Sequence, residues 1–470
     1  MPLILPGNVG SATAATGFNV ANSLRFAGAA RDTYLTATFG SAPTLATKNT
    51  ISLWFKRSLI DATQQLYATN NNAANIILNR SGASTGPTAA FYTNSGQLLG
   101  PRQYRDTSAW MHFVFAFDST QGTEANRFKV YINGVEETSF DNTAYPAQEA
   151  SQLGVNGQEI QIGTRANYDR IFDGYMAETA FVDGQALNAT SFGEFDSDSG
   201  IWKPIDLSDL TFGNNGFYLE YKGTGTNADS SGIGADTSGN DLHFAVNAFT
   251  AADQSTDTCT NNFCTLSPLI NIEGSYTLSE GNTEFLGTGG NDGTFGTLSV
   301  QGAGKWYFEA EFDTNSSVSY AGFADVELVN NIGTGNPISS FIGMYRDDHT
   351  IQIGGSSEGA YTDVSDGDIF GFAMNLDAAS GSRTVIVQKN GSTIDTVTIP
   401  TANENNAFIP VVGDTSATDG RLKMNFGGTP NPTPSSAVSD AKGFGAFEYS
   451  PTIGGVAYLA LCTKNLGSNG

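Results

Sequence analysis

Hydrophobic residues in this chain occur in short stretches that turn-forming residues separate. Residues 127–140 and 384–398 have the same organisation: a β-rich run, then Asn-Gly, then a second β-rich run. Asn-Gly favours a type I′ turn, because both residues tolerate positive φ and the twist of the turn matches the flanking strands. The pattern therefore predicts β-hairpins with tips at Asn133-Gly134 and Asn390-Gly391, in two separate β-sheet modules.

Further strands are predicted from apolar runs and from period-two alternation. Residues 52–56 are almost continuously apolar, which is typical of a strand buried on both faces, and residues 113–117 have the pattern of a core strand. No segment longer than about ten residues has convincing 3.6-residue periodicity, so few helices are expected. The predicted strands are 23–26, 51–56, 76–78, 89–92, 111–118, 128–133, 159–163, 175–182, 217–221, 306–312, 319–324, 340–344, 369–376, 384–389, 394–399, 422–426 and a last one within 457–462.

Composition agrees with an all-β chain of more than one domain. The 470 residues include 55 Gly and 31 Phe, and only 15% are charged. A chain of this length usually has two or three hydrophobic cores. Residues 261–267 have little strand pattern, and Pro268 ends them. We predict an extended N-terminal anchor segment (1–20), a first domain with a linking region (21–265) and a second domain (268–470).

Charge and cysteine content exclude several function classes. The net charge of −25 disfavours binding to nucleic acid or to an anionic membrane surface. No run of eighteen apolar residues exists, so no membrane insertion is expected. The three cysteines, Cys259, Cys264 and Cys462, form no disulfide framework and no zinc-binding spacing, so free thiols are predicted. The alternative is a bridge between Cys259 and Cys264, which are close in sequence.

The N-terminal half resembles the laminin-G-like, concanavalin-type jelly roll. The resemblance rests on a Trp-x-His strand (106–114), the Asn-Gly hairpin (130–135) and a Gly-Tyr-x-Ala-Glu strand (172–178), in the order that is familiar from that family. It implies a β-sandwich whose loops carry the binding residues.

The C-terminal half resembles a SPRY domain in segments 304–309, 367–377 and 388–391. With segments 181–187 and 258–268, the whole arrangement is similar to that of uncharacterised marine bacteriophage proteins labelled tail-fibre or structural proteins. The resemblance implies an all-β protein of two sandwiches, a laminin-G-like jelly roll followed by a SPRY-like sandwich.

Two functions follow from this resemblance and stay open. One is a compact tail fibre or receptor-binding appendage that recognises host-surface glycan, and it is slightly favoured because loop-bearing sandwiches are common recognition scaffolds. The other is a capsid, neck or tail decoration or adaptor protein that binds other virion proteins without recognising glycan. Both imply a non-enzymatic protein on the virion surface, anchored through residues 1–20, and analogy with other phage appendages favours a homotrimer.

Aromatic side chains near predicted loops are candidates for stacking on sugar rings. They are Tyr168, Tyr320, Tyr345 and Tyr361. The alternative is that these tyrosines pack at the edges of the sandwiches.

Calcium is the candidate cofactor, because laminin-G-like folds often bind it through loop carboxylates and carbonyls. The candidate ligands are Asp169, Asp173 and Asp183, with Asp196 and Asp198 in similar loops. The alternative is that these residues belong to the many solvated acidic loops of an acidic protein.

Two motifs suggest catalysis, but each has a structural interpretation. Glu309, Glu311 and Asp313 alternate along one strand, as catalytic carboxylates do in concanavalin-type hydrolases. The residues that alternate with these acids form an apolar stripe of Trp306, Phe308, Ala310 and Phe312. We therefore interpret the acids as the solvated side of a core strand. His112 lies within a predicted core strand, and we expect a buried, hydrogen-bonded structural histidine.

Overall fold

The computed structural model describes residues 17–70, 74–79, 88–151, 153–165, 168–272, 274–288, 292–314, 319–326, 341–346, 350–353, 356–360, 364–415 and 420–467. Strands account for 45% of the chain and helices for 4%. The chain divides into two compact units, one of residues 15–260 and one that contains residues 261–470. The predicted all-β class and the two sandwiches are confirmed.

The first unit consists of short strands joined by tight turns. Its strands are β1 (Ser23–Ala27), β2 (Tyr34–Thr38), β3 (Lys48–Arg57), β4 (Gln64–Thr69), β5 (Ala74–Leu78), β6 (Thr88–Thr93), β7 (Gln97–Gln103), β8 (Met111–Asp118), β9 (Phe128–Ile132), β10 (Val135–Glu136), β11 (Asn142–Ala144), β12 (Glu159–Ile162), β13 (Asp173–Asp183), β14 (Gly193–Phe195), β15 (Trp202–Pro204), β16 (Phe217–Leu219), β17 (Ala245–Asn247) and β18 (Gln254–Ser255). Its short helices are α1 (Gly28–Arg31) and the 3₁₀ turns Glu124–Asn126, Ala189–Ser191 and Ala251–Asp253.

The second unit has the same character. Its strands are β19 (Tyr276–Ser279), β20 (Glu284–Gly287), β21 (Asp292–Phe295), β22 (Lys305–Thr314), β23 (Ser319–Asp325), β24 (Phe341–Tyr345), β25 (Thr350–Ile353), β26 (Ser356–Ala360), β27 (Asp368–Asn375), β28 (Thr384–Lys389), β29 (Ser392–Thr398), β30 (Phe408–Asp414), β31 (Arg421–Asn425), β32 (Thr452–Ile453), β33 (Val456–Ala457) and β34 (Leu459–Ala460). It ends with α2 (Thr463–Leu466). No helix in the described part of the chain is long and apolar enough to span a membrane.

Two large antiparallel sheets form the sandwich of the first unit. Sheet I has the order β10-β9-β8-β3-β13-β1-β18, with β16 beside β13, and sheet II has the order β11-β7-β6-β5-β4-β12-β2-β17. Phe113 and Phe115 of sheet I pack with Ile76 and Ile160 of sheet II in one buried core. Alternation along each strand directs one set of side chains into this core and the other set to the outer face.

The outer face of sheet I is covered by the chain between β13 and β18. Trp54 and Val114 on that face are buried against Trp202 and Phe212. At the N-terminal side, Val20 is 3% exposed and belongs to the same cluster. The end of the predicted 1–20 anchor segment is therefore part of the first unit, because Val20 contributes an apolar side chain to a packed surface.

Two further sheets form the sandwich of the second unit. Sheet III has the order β19-β20-β31-β22-β27-β28-β29, and β34 pairs with β22; sheet IV has the order β21-β30-β23-β24-β25-β26. Phe308 of sheet III and Phe323 of sheet IV meet in the core with ring centroids 4.9 Å apart. Apolar residues also pack on both outer faces, Phe447 and Tyr458 on sheet III and Ile272 on sheet IV.

Both predicted hairpin tips are confirmed. Asn133 and Gly134 have φ angles of 47° and 83°, and Asn390 and Gly391 have φ angles of 48° and 78°. These positive values are those of a type I′ turn. At Gly134 a side chain is also excluded by packing, because a Cβ atom would lie 2.3 Å from the Trp202 ring.

The prediction missed several strands, among them β2, β4, β7 and β30; β30 is paired on both sides within sheet IV. Pro410 interrupts the pattern there, and proline normally argues against an interior strand. The predicted tail strand 457–462 is shorter than expected: residues 459–460 form β34, which pairs with β22, and α2 begins at Thr463. The proline-rich residues 429–434 form no strand, as expected.

Candidate functional site

The outer face of sheet II differs from the other large sheet faces because its side chains are mainly polar. In antiparallel pairs, directly opposed residues lie on the same face. Thr36 is opposed to Gln161 on the next strand, and Gln161 is opposed to Ala68. Ala68 is in turn opposed to Asn75, and Asn75 to Tyr92, so all five residues lie on one face. We call this surface the polar face and define it by Tyr34, Thr36, Gln65, Asn75, Tyr92, Gln97, Glu159 and Gln161.

Two glutamines form the shielded floor of the polar face. Gln65 is 0% and Gln161 is 1% exposed. The Gln65 amide nitrogen donates to the Tyr67 carbonyl (2.8 Å) and to Asn75 Oδ1 (3.2 Å), and the Gln161 amide nitrogen donates to Glu159 Oε1 (2.6 Å). Both Oε1 atoms lack a hydrogen-bond donor within the described residues. A buried acceptor without a donor costs about 1–3 kcal/mol, so both atoms favour a hydroxyl or water that would donate to them.

A stacked tyrosine pair lies beside these amides. Tyr34 and Tyr168 have ring centroids 5.0 Å apart and an interplanar angle of 27°. Tyr168 is 47% exposed. Burial, then the neighbouring Tyr168 and the carboxylates of Asp32 and Glu159, raise the pKa of Tyr34. Tyr34 and Glu159 therefore share one electrostatic environment, and an aromatic surface is accessible at its edge.

The four tyrosines that were predicted to bind sugar do not form one platform. Tyr168 is exposed in the first unit, whereas Tyr320 is 0% and Tyr345 is 9% exposed in the second. The expectation for Tyr320 is wrong, because its side chain is on the outer face of sheet IV and is covered together with Ile272. The Tyr345 hydroxyl is 3.1 Å from Thr415 Oγ1. Tyr361 lies outside the described residues.

The three candidate calcium ligands do not fit a single ion. Asp169 forms an ion pair with Arg165. Asp173 and Asp183 are the first and last residues of the eleven-residue strand β13, so they lie about 33 Å apart. Asp183 Oδ2 accepts hydrogen bonds from the backbone of two loops. No group of three or more Asp, Glu, His or Cys side chains in the described parts of the chain could hold a metal ion.

The acids of β22 are not a solvated face, which corrects the interpretation from sequence. Glu309 is 1% exposed and accepts hydrogen bonds from the Tyr307 hydroxyl (3.0 Å) and from Asn425 Nδ2 (3.0 Å). It also accepts from the backbone N–H groups of Glu448 (2.9 Å) and Tyr449 (2.8 Å). Burial raises the pKa of Glu309, and these hydrogen bonds oppose that effect. Glu309 therefore holds the C-terminal segment on sheet III.

The neighbouring acids on β22 are ion-paired. Glu311 is 9% exposed, and Lys423 Nζ lies 2.9 Å from its carboxylate and 3.0 Å from that of Asp313. Burial also raises the pKa of Glu311, and the Lys423 ammonium opposes this. The alternation of the three acids thus has a structural explanation.

The structural role predicted for His112 is confirmed. Its Nδ1 accepts from Trp202 Nε1 at 3.0 Å, so its Nε2–H donates to Ser52 Oγ at 2.8 Å. Burial lowers the pKa of His112 to about 3, which keeps the imidazole neutral. Its ring stacks on Trp54 with centroids 4.5 Å apart. His112 therefore joins β8 to the segment that covers sheet I.

Sequence reasoning missed Tyr34, Gln65 and Gln161. The sequence does carry a signal for these residues: polar or aromatic residues lie between apolar ones in segments 34–38, 64–69 and 159–162. None of these segments is distinctive alone, and only the strand pairing combines them into one surface.

Comparison with known proteins supports the fold of this unit. The model of the concanavalin A-like lectin/glucanase superfamily matches residues 29–191, about a third of the chain. These residues include most of sheets I and II, so the first unit is similar to lectins and glucanases of that superfamily. A search of curated proteins finds no match.

Several solved structures are similar at low identity. A putative carbohydrate-binding protein from Bacteroides ovatus is 13% identical with a TM-score of 0.34, covering 49% of this chain and 59% of that chain. A SAP-like pentraxin from Limulus polyphemus is 14% identical with a TM-score of 0.28, covering 37% and 80%. The SPRY domain of human HERC1 is 14% identical with a TM-score of 0.26, covering 32% and 91%. Likenesses at this level do not bear on function.

Proposed function

We propose that the first unit binds a glycan on the polar face. The observation that carries this proposal is the pair of shielded glutamine acceptors, Gln65 and Gln161, beside the accessible stacked pair Tyr34–Tyr168. Sugar hydroxyls donate hydrogen bonds to amide oxygens, and the C–H faces of sugar rings stack on aromatic rings. The superfamily match over residues 29–191 agrees with this function.

The proposed activity is binding without hydrolysis. Retaining and inverting glycosidases require two carboxyl groups, about 5–5.5 Å or about 6.5–9.5 Å apart. Glu159 is the one carboxylate among the residues that define the polar face. No second acid lies on the described strands of sheet II, and Asp32, whose carboxylate acts on Tyr34, lies in the turn before β2.

Binding is tested on the full chain by calorimetric titration with a panel of polysaccharides. Tyr168→Ala removes the exposed aromatic ring and is expected to weaken binding about 3- to 10-fold, the range of one aromatic contact. Gln148→Ala, an exposed glutamine in a loop, is the matched control and should bind as the parent does. Equal binding by the parent and Tyr168→Ala would exclude this face as the site.

We propose further that the chain acts as a compact virion attachment protein. Support comes from the sequence resemblance to phage tail-fibre and structural proteins. A single sugar site is weak, so attachment would depend on several copies acting together, which a homotrimer would provide. The localisation on the virion surface and the partnership with other virion proteins belong to the same proposal.

Competition for host adsorption tests the attachment role. Purified chain should reduce adsorption of intact particles to host cells, and Tyr168→Ala should reduce it less. In a decoration or adaptor protein, the chain would ignore host glycan and bind depleted particles. Deletion of residues 1–16 would then abolish incorporation; residues 17–20 are retained because Val20 packs in the first unit. Incorporation without any effect on adsorption would refute the attachment role.

A further inference from the structure

We infer that the polar face selects uncharged glycans and rejects those that carry sulfate or carboxylate groups. This inference rests on the proposed function and adds the chemical class of the ligand. It follows from the kinds of groups that the face presents and from the charges around them.

The shielded groups without donors are hydrogen-bond acceptors. Gln65 Oε1 and Gln161 Oε1 both need a donor, and their amide nitrogens already donate within the protein. A sugar hydroxyl can supply that donor when the side chains that shield the two oxygens move aside. A sulfate or carboxylate group placed at either amide oxygen carries only acceptor oxygens, so only the remaining hydroxyls of such a sugar would donate to Gln65 and Gln161.

The charges around the polar face also favour an uncharged ligand over an anionic one. Glu159 is the charged residue among those that define the face, and it lies 2.6 Å from the Gln161 amide nitrogen. Asp32 and Glu159 both act on the Tyr34 hydroxyl. An anionic group bound here would meet like charge, and at about 5 Å this would weaken binding roughly 5- to 100-fold, depending on the local dielectric.

The described arginines near the Tyr34–Tyr168 pair do not make the polar face attractive to anions. Arg165 donates to Asp169 through Nη2 at 2.8 Å. Arg170 also lies near Asp169, and both arginines lower the pKa of that carboxyl. Asp169 offsets one of these two positive charges, and the carboxylates of Glu159 and Asp32 together outweigh the other. No Lys or Arg occupies the positions that define the polar face.

The experiment compares binding of the full chain to a neutral β-glucan, a neutral galactomannan, polygalacturonate and heparin, at 50 and 500 mM NaCl. We expect binding to at least one neutral polymer, unchanged by salt because it involves no ion pairs, and no binding to either polyanion. Glu159→Gln should raise the ratio of polygalacturonate to neutral-glycan affinity about 5-fold or more, because it removes the like charge.

The outcomes separate this inference from the proposed function. Polyanion binding that falls with salt and is lost in Tyr168→Ala would overturn the inference while leaving glycan binding on this face intact. Neutral-glycan binding that Tyr168→Ala does not change would refute the proposed site. Absence of binding to all four polymers would count against both.

Discussion

Glu178 is predicted to be protonated in the folded protein at neutral pH, and its titration should reduce stability as pH rises. It lies in β13, is 4% exposed, and accepts a hydrogen bond from the Tyr218 hydroxyl. Burial raises its pKa from 4.5 to about 8, although the Tyr218 hydrogen bond acts in the opposite direction. The folded state therefore binds a proton that the unfolded state has released between these pH values.

The sign and size of the effect follow from proton linkage. Because the pKa is higher in the folded state, the stabilising contribution is complete below pH 4.5 and is lost as pH rises through about 8. Between these values the free energy of unfolding should fall by up to about 1.4 kcal/mol per pH unit. The total has an upper limit of about 5 kcal/mol, a large fraction of the stability of a typical domain.

The assay is denaturant unfolding at pH 5.5, 6.5 and 7.5, followed by tryptophan fluorescence. Three of the four tryptophans, Trp54, Trp110 and Trp202, belong to the first unit, so the signal reports mainly on it. Glu178→Gln stays neutral, so its stability relative to the parent should increase by about 1 kcal/mol per pH unit. Glu194→Gln, whose parent side chain is 60% exposed, is the control and should show no such trend. A parent–variant difference that stays constant over this range would refute the reasoning.

Other predictions concern the hairpin and the C-terminal segment. Gly134→Val should destabilise the first unit by about 3 kcal/mol or more, because it adds a clash with Trp202 to the strain of positive φ. Gly157 also has a positive φ of +81° but has open space around it. Gly157→Val should therefore lower the free energy of unfolding by only about 1 kcal/mol in the same denaturant titration. Glu309→Gln should destabilise the second unit by about 1–3 kcal/mol, because one carboxylate oxygen that accepts hydrogen bonds becomes an amide donor, with the Trp306 signal as the measurement. Glu311→Gln should lose less, about 1 kcal/mol, because it weakens a partly accessible ion pair. Equal losses in either matched pair would contradict the role assigned to the buried residue.

The sequence by itself determined the fold class and the positions of both hairpin tips. Local chemistry explains this success, since Asn133-Gly134 and Asn390-Gly391 require only the two central residues of a turn to adopt positive φ. Core strands such as β8 and β28 were found with their observed bounds, because period-two alternation and β-rich composition are local signals. His112 was assigned correctly because the apolar residues on both sides predicted burial.

Only the tertiary structure decided which outer faces are covered. Alternation along β22 shows that Glu309 is opposite the apolar stripe, but residues more than a hundred positions later bury it. Tyr320 is buried for the same kind of reason, by the segment around Ile272. The polar face required Tyr34, Gln65 and Gln161 to meet across paired strands. Strand pairing and coverage depend on distant parts of the chain, so local periodicity carries no information about them.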